Sequence, residues 1–222
     1  MDKKSKKKLN EKMKQRRNEE PTILLNYLDY LLAVRSYSPK TVETERLSLL
    51  EFFSFIKEYK KIEVSVKEFN IFIISSVKGS DVLAYLSYLN TSKNNAAQTR
   101  KRKLVFIRVF YKWLLNFNYD ICENKTNPAK NIPPIQLVQK LPKVLNLEQA
   151  KSILGIYTIN NSKMPERNNA IISIFLNCGL RISELINLKI DDANFKDRYF
   201  RILGKGNKER IVYYNNNVER IS

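Results

Sequence analysis

Two basic residues of different kinds stand near the C-terminal end of the chain. Arg181 opens a helical pattern in GLRISEL, whose apolar residues Ile182, Leu185, Ile186 and Leu188 predict one buried side. Lys205 lies between two glycines in GKGNKER, a sequence typical of a β-hairpin turn. A guanidinium binds two phosphate oxygens in a planar fork, and an ammonium can act as a point charge or proton donor. Held by separate elements, the pair suits a reaction that develops charge on a phosphate.

Spacing alone also permits ordinary interpretations of both residues. Arg181 could form an ion pair with Glu184, three residues later at the start of the same helix. A lysine in a glycine-containing turn is usually just solvated. The residue types and their spacing therefore leave both interpretations open.

The charge of the chain favours a polyanionic partner. Its 222 residues hold 40 Lys+Arg and 22 Asp+Glu, a formal net charge of +18. The excess is +7 in residues 1–17, +5 in residues 18–135 and +6 in residues 136–222. A membrane surface would explain a basic tail but not two basic halves, whereas a nucleic acid explains both. We therefore expect double-stranded DNA as the partner.

Several other classes of protein do not fit the sequence. Cys122 and Cys178 lie in unrelated contexts without metal-ligand spacing, so we expect reduced thiols and no metal. No window approaches the roughly 18 uninterrupted apolar residues of a membrane-spanning helix. Basic residues interrupt the N-terminal region before any stretch of signal-peptide length. We expect a soluble, cytoplasmic protein without a membrane partner.

Helical periodicity predicts an all-α first domain at residues 18–120, after a basic, disordered tail at residues 1–17. The first helix spans Thr22 to Arg35, and Ser38 caps a second helix with Pro39 at its first position. Residues 61–79 indicate a short extended piece and a helical turn. A third helix follows Gly79, and a fourth runs from residue 96 to about residue 116.

A second domain is predicted at residues 141–222, after a proline-containing linker at residues 121–140. Asn146 and Gln149 form a capping box at the start of its first helix. Further helices are expected near 167–178 and 181–188. The strands Tyr199–Leu203 and Glu209–Tyr213 then flank the turn at 204–207.

The two motifs together resemble the start of the catalytic domain of the tyrosine recombinases, the phage-integrase family, and most closely its Xer-like members. YLDYLLAVRSYSPKTVETERLSLLEFFSFI and NNAAQTRKRKLVFIRVFYKWL resemble the core-binding domain of that family. The resemblance extends over about residues 20–218. It implies a mostly α fold: an all-α, SAM-like core-binding domain, then the incomplete α/β start of a catalytic domain with helices and a β-hairpin.

The resemblance also implies roles for individual residues. Arg181 would neutralise the scissile phosphate and Lys205 would protonate the leaving 5′-oxygen, with no cofactor or metal. Cations at a helix start oppose the helix dipole, so a DNA phosphate would offset the charges that begin the second and fourth helices. The predicted DNA-binding residues are Lys40, Thr41, Arg46, Arg100, Lys101, Arg102, Lys103, Arg108, Lys208 and Arg210.

The family also needs a His-x-x-Arg pair, a later His or Trp, and a tyrosine nucleophile. This chain contains no histidine and ends at Ser222. Tyr213 and Tyr214 lie in or just beyond the strand that follows Lys205, whereas the family's nucleophile lies on a later helix. We therefore expect no nucleophile in this chain and no cleavage by the chain alone.

Three interpretations of such a chain stay open. It could be a truncated or incompletely sequenced recombinase, whose partners would include other recombinase subunits. It could instead be a non-catalytic accessory or competitor that occupies recombination sites. An ordinary helix-turn-helix transcription factor would explain the charge but not GLRISEL followed by GKGNKER.

Overall fold

A computed structural model describes residues 19–117, 126–138, 144–158, 164–204 and 208–215, without the side chains of 154–158. The predicted tail at residues 1–17 lies outside this part of the chain. The chain divides into two compact units, Met1–Gln139 and Lys140–Ser222. We call them the helical unit and the hairpin unit. No helix within the described residues is long and apolar enough to cross a membrane.

The described part of the helical unit is built from α-helices of unequal length. They are α1 (Thr22–Ala33), α2 (Pro39–Tyr59), α3 (Ile71–Ser75), α4 (Gly79–Thr91) and α5 (Ala97–Asn116), with a 3-10 turn at Val66–Glu68 between α2 and α3. The four helices predicted from periodicity are confirmed. The ambiguous stretch at 61–79 forms the 3-10 turn and the short α3.

The start of α2 shows why its boundary could be predicted. The Ser38 hydroxyl accepts a hydrogen bond from the Thr41 backbone N–H at 3.2 Å, and Pro39 occupies the first helical position. Such a cap satisfies a donor that the helix itself leaves unpaired. The predicted capping role of Ser38 is confirmed.

Aromatic rings from three helices form the centre of the helical unit. Phe110 on α5 is fully buried, with ring centroids 5.2 Å from Tyr27, 5.6 Å from Phe53 and 6.0 Å from Trp113. The predicted apolar stripe of α2 faces this core and is at most 5% exposed: Val42, Leu49, Phe53 and Ile56. The burial of these apolar side chains stabilises the helical unit and gives it a core of its own.

Part of the predicted linker packs against the helical unit. Ala129 is fully buried and Ile132 is 9% exposed, both within the core of that unit. Arg108 on α5 donates hydrogen bonds to the carbonyls of Ala129 at 3.1 Å and Ile132 at 2.8 Å. Asn127 in turn donates to the Arg108 carbonyl at 2.9 Å. These bonds satisfy backbone groups that a free linker would expose to water.

A buried carboxyl group in this core gives the helical unit a pH dependence. The Tyr27 hydroxyl donates a hydrogen bond to Glu45, which is 2% exposed. Burial raises the pKa of Glu45 above its ordinary value of 4.5. Because the folded state then binds the proton more tightly than the unfolded state, stability falls as pH rises from 4.5 through the folded pKa.

Replacing Glu45 by glutamine should remove this decline. The Glu45→Gln side chain still offers Tyr27 an acceptor but cannot ionise. As pH rises from 4.5 toward 7, the unfolding free energy of wild type should therefore fall relative to that of the variant. Urea unfolding at several pH values measures the difference. Glu63→Gln, at an exposed site, is the matched control; a Glu45→Gln difference that is constant with pH would contradict the assignment.

The described part of the hairpin unit combines short helices with a three-stranded sheet. Its helices are α6 (Leu147–Thr158), α7 (Pro165–Cys178) and α8 (Ile182–Ile186), followed by a 3-10 turn at Ile190–Asp192. The antiparallel strands β1 (Ala193–Asn194), β2 (Tyr199–Leu203) and β3 (Glu209–Tyr213) lie in that order. In the β2–β3 register Tyr199 lies opposite Tyr213, and Leu203 lies opposite Glu209.

Local signals again define the element boundaries. Gln149 N–H donates to the Asn146 side chain at 2.8 Å, and Asn146 N–H donates to the Gln149 side chain at 3.0 Å. This reciprocal pair is the predicted capping box, which is confirmed. The two predicted hairpin strands are also confirmed residue for residue.

The core of the hairpin unit is small within the described residues. It contains Leu180, Phe200, Ile202 and Tyr214, with the rings of Phe200 and Tyr214 stacked at 4.7 Å.

The prediction that the apolar residues of α8 bury one side was wrong for two of them. Ile182 and Ile186 are 69% and 75% exposed. The residue that this five-residue helix buries is instead Glu184, at 6% exposure.

Candidate functional site

Arg181 lies at a sharp change of chain direction between α7 and α8. Gly179, at the C-terminal cap of α7, has a φ of 59°, in the left-handed region where a side chain would be strained. The buried Leu180 then anchors the connection, and Arg181 becomes the N-cap of α8 with an extended backbone. The Gly-Leu-Arg sequence thus fixes the backbone position of Arg181, while the Arg181 side chain stays 68% exposed.

Glu184 holds Arg181 from within the same turn of α8. Its carboxylate accepts the backbone N–H of Arg181 at 2.9 Å and Nη1 of Arg181 at 2.8 Å. The ion pair with Glu184 that spacing offered as the ordinary interpretation is therefore present. It does not occupy the whole guanidinium, because Nη1 makes the only contact between the two side chains that the structure describes.

A second arginine binds the same carboxylate. Arg210 on β3 donates from Nη1 to Oε1 of Glu184 at 2.8 Å and from Nη2 to Oε2 at 2.9 Å. Hydrogen bonds from Arg210, and then those from Arg181, lower the pKa of Glu184 to about 2. At neutral pH the cluster is one carboxylate with two guanidiniums, so its formal charge is +1. An anion such as a phosphate would be attracted to it.

The hairpin turn that follows β2 begins beside this cluster. Lys205 itself lies outside the described residues, so its predicted catalytic role stays a prediction. Gly204 N–H donates to the Lys208 carbonyl at 2.7 Å and closes the base of the turn. The described end of the turn at Lys208 is exposed.

In the helical unit, the predicted residues at the start of α2 differ in availability. Lys40 and Thr41 are exposed. Arg46 is only 12% exposed and forms ion pairs with Glu20 and, at 2.9 Å, with Glu43. A DNA phosphate would have to compete with those carboxylates for Arg46, whereas Lys40 can meet a phosphate without losing an ion pair that the structure describes.

The start of α5 shows the same division. Arg102 is exposed and Lys101 is half-buried. Arg100 is half-buried, and its Nε is buried without a hydrogen-bond partner among the described residues. Lys103 is 8% exposed and its Nζ lies 2.6 Å from a carboxylate oxygen of Glu51 on α2. Lys103 therefore joins two helices.

The structure thus places the predicted DNA-binding residues in two groups. Some have exposed or half-exposed side chains without a described ion pair: Lys40, Thr41, Arg100, Lys101, Arg102 and Lys208. Others make contacts within their own unit: Arg46, Lys103, Arg108 and Arg210. Contact of either group with DNA stays a prediction.

Sequence reasoning missed the acidic partners of the second group. The Glu43–Arg46 spacing of three residues could have indicated one pair. Glu51, 52 positions before Lys103, and Glu184, 26 positions before Arg210, are brought close only by the fold.

As to metals, no group of at least three His, Cys, Asp or Glu side chains in the described part of the chain could hold an ion.

Comparison with known proteins is consistent with this geometry. Residues 23–121 match the model of the phage integrase N-terminal SAM-like domain, and residues 143–221 match that of the phage integrase family. Tyrosine recombinase XerC of Caldanaerobacter subterraneus is 34% identical over 203 residues, which are 88% of this chain and 55% of that protein. XerD of Rickettsia conorii is 30% identical over 199 residues, 86% of this chain and 60% of that protein.

The structure of the Tn1549 transposon integrase, solved with circular intermediate DNA, has a similar fold. The TM-score is 0.61 at 20% identity, over 91% of this chain and 63% of that one. The predicted fold class, a SAM-like helical domain followed by the helices and hairpin of a recombinase catalytic domain, is confirmed. The chain spans 55–60% of the length of these two curated relatives. The two matching models and the Xer relatives show that the chain belongs to the tyrosine recombinases of the phage-integrase family.

Proposed function

We propose that this chain is the DNA-binding part and the first part of the catalytic domain of a site-specific tyrosine recombinase, acting in DNA recombination and integration. The observation that carries the proposal is the +1 cluster of Arg181, Glu184 and Arg210 beside Gly204, the residue before Lys205. It lies within the residues that match the phage integrase family. We also propose that the protein acts in the cytoplasm. Its proposed partners are double-stranded DNA and other recombinase subunits.

The helical unit would bind the DNA backbone. Residues 18–120 are proposed as the core-binding domain, and the cations without a described ion pair at the starts of α2 and α5 as its phosphate contacts. Such contacts position a protein on a duplex without reading its sequence. The hairpin unit adds a further excess of positive charge, so both units would contribute to affinity.

The chemistry proposed for the site is phosphoryl transfer to a tyrosine. Arg181 would neutralise the scissile phosphate as it becomes five-coordinate, because fixed positive charge is most effective where negative charge develops. Lys205 would donate a proton to the leaving 5′-oxygen. Tyrosine attack stores the bond energy in a 3′-phosphotyrosyl link, so the reaction needs no cofactor or metal.

A second candidate function is a non-catalytic DNA-binding accessory or competitor. The positions of Tyr213 and Tyr214, the two tyrosines that follow Lys205, favour this non-catalytic function for the polypeptide alone. Tyr214 is buried and stacked on Phe200. Tyr213 lies in β3, with its ring 6.0 Å from that of Tyr199. Both are fixed to the sheet that carries the turn of Lys205.

The 222-residue polypeptide alone should therefore form no covalent complex with DNA. Residues that act as one catalytic unit fail together when one is missing, so Arg181 and Lys205 cannot replace a nucleophile. A nicked suicide substrate carrying a recombination site, followed by a denaturing gel, traps any such complex. The XerC relative supplies the positive control. A trapped complex that disappears with Tyr213→Phe would overturn the expectation.

A further inference from the structure

Glu184 does not share its carboxylate equally between its two arginines. Arg210 makes a fork, with Nη1 and Nη2 reaching the two carboxylate oxygens at 2.8 and 2.9 Å. Arg181 makes a single side-chain bond, from Nη1 at 2.8 Å. Two parallel bonds fix a guanidinium in place more firmly than one.

The two arginine side chains also differ in exposure to solvent, and the less firmly held Arg181 is the more exposed. The side chain of Arg181 is 68% exposed and that of Arg210 is 39% exposed, while that of Glu184 is only 4% exposed. Turning Arg181 toward an incoming phosphate would break one side-chain hydrogen bond and leave Glu184 paired. Turning Arg210 the same way would break the fork.

We propose that Arg210 is a positioning residue: it keeps Glu184 paired, so that Arg181 is free to turn to a phosphate. This inference rests on the proposed function, in which Arg181 contacts the scissile phosphate. It replaces the direct phosphate contact that the sequence predicted for Arg210.

The physical reason is the burial of Glu184. Without Arg210, Arg181 would be the only cation that the structure describes on this carboxylate. Taking Arg181 away would then leave a buried charge without a partner, which is strongly unfavourable. Arg181 would stay bound to Glu184, and its affinity for phosphate would fall although its own side chain is intact.

The pair also lies beside Gly204, the last described residue before Lys205. A methyl group built on Gly204 would lie 3.6 Å from Nη1 of Arg210 and 3.7 Å from Oε1 of Glu184. Arg210 lies opposite Ile202 in the β2–β3 register. The Arg210–Glu184 contact therefore connects the hairpin to α8, whose N-cap is Arg181.

The salt dependence of duplex binding by the full chain distinguishes positioning from direct contact. Each lost phosphate contact should reduce the slope of log affinity against log salt by about 0.9, or about eightfold in affinity at about 0.1 M salt. Arg181→Gln should show this loss, and so should Arg210→Gln, in which Glu184 retains Arg181. The double variant Glu184→Gln/Arg210→Gln removes the carboxylate that would hold Arg181, so it should return to the wild-type slope.

Each other outcome overturns a different statement. If Arg181→Gln leaves the slope unchanged, Arg181 makes no phosphate contact, and the proposed function and the inference both fail. If Arg181→Gln lowers the slope but Arg210→Gln does not, the inference alone is wrong. A double variant as weak as Arg210→Gln would show that Arg210 contacts phosphate itself. Amide exchange at Ile202 and Val212 checks that the hairpin stays formed, and the neutral double variant decides the question even if Arg210→Gln loosens it.

Discussion

Replacing Lys40, Lys101 and Arg102 together by alanine is expected to weaken duplex DNA binding about 500-fold at about 0.1 M salt. The size follows from three phosphate contacts, each contributing about 0.9 to the slope of log affinity against log salt. Lys40 lies in the first turn of α2, and Lys101 and Arg102 lie in the first turns of α5. None of the three has an ion pair among the described residues, so their removal should leave the fold intact.

Lys103 is left out of this variant for a structural reason. Its ammonium lies 2.6 Å from Glu51 and is nearly buried, so alanine there would also leave a carboxylate without its partner. A loss of affinity in a Lys103 variant would therefore mix DNA contact with destabilisation. Arg46 and Arg108 are unsuitable for the same kind of reason.

A matched control removes the same charge elsewhere in the helical unit. Lys61, Lys67 and Lys78 are exposed and follow the C-terminal end of α2 in sequence. Lys40 lies at the opposite end of that 21-residue helix, a distance of about 30 Å. Alanine at these three lysines should change affinity only slightly. Equal losses in the two triple variants would mean that net charge alone drives binding and that the proposed surface is wrong.

The sequence predicted local features of this fold well because local interactions determine them. The Ser38 and Asn146 caps depend on groups three residues away, and the strands of the hairpin flank a glycine-containing turn. Periodicity also identified the buried stripe of α2 correctly. These signals lie within one or two turns of chain, so they can be seen without knowledge of the fold.

Features that depend on contacts between distant residues could not be predicted in the same way. Arg108 follows the cations at the start of α5 in sequence, yet its guanidinium binds carbonyls 21 and 24 residues later. Ile182 and Ile186 were expected to be buried, but the short α8 buries a carboxylate that two arginines neutralise. An apolar or a charged residue has an obvious role only when its neighbours in space are known.

The candidate site was predicted in part. Arg181 and Lys205 were proposed from their motifs, and an ion pair between Arg181 and Glu184 was one interpretation that spacing permitted. Arg210 and Arg181 both bind Glu184 only because the fold brings β3 next to α8. Arg210 and Glu184 are 26 positions apart in sequence. Sequence therefore proposed residues for the site but could not show how Glu184 holds Arg181 and Arg210.

Salt titration of duplex binding by the wild-type chain tests the central claim most directly. About seven cations are proposed to meet phosphates, which predicts a slope of about −6 for log affinity against log salt. They are Lys40, Arg100, Lys101, Arg102, Arg181, Lys205 and Lys208. Between about 50 and 200 mM salt, affinity should fall by about 10³ to 10⁴. A slope shallower than about −2, or no binding at low salt, would contradict phosphate-led DNA binding by this chain.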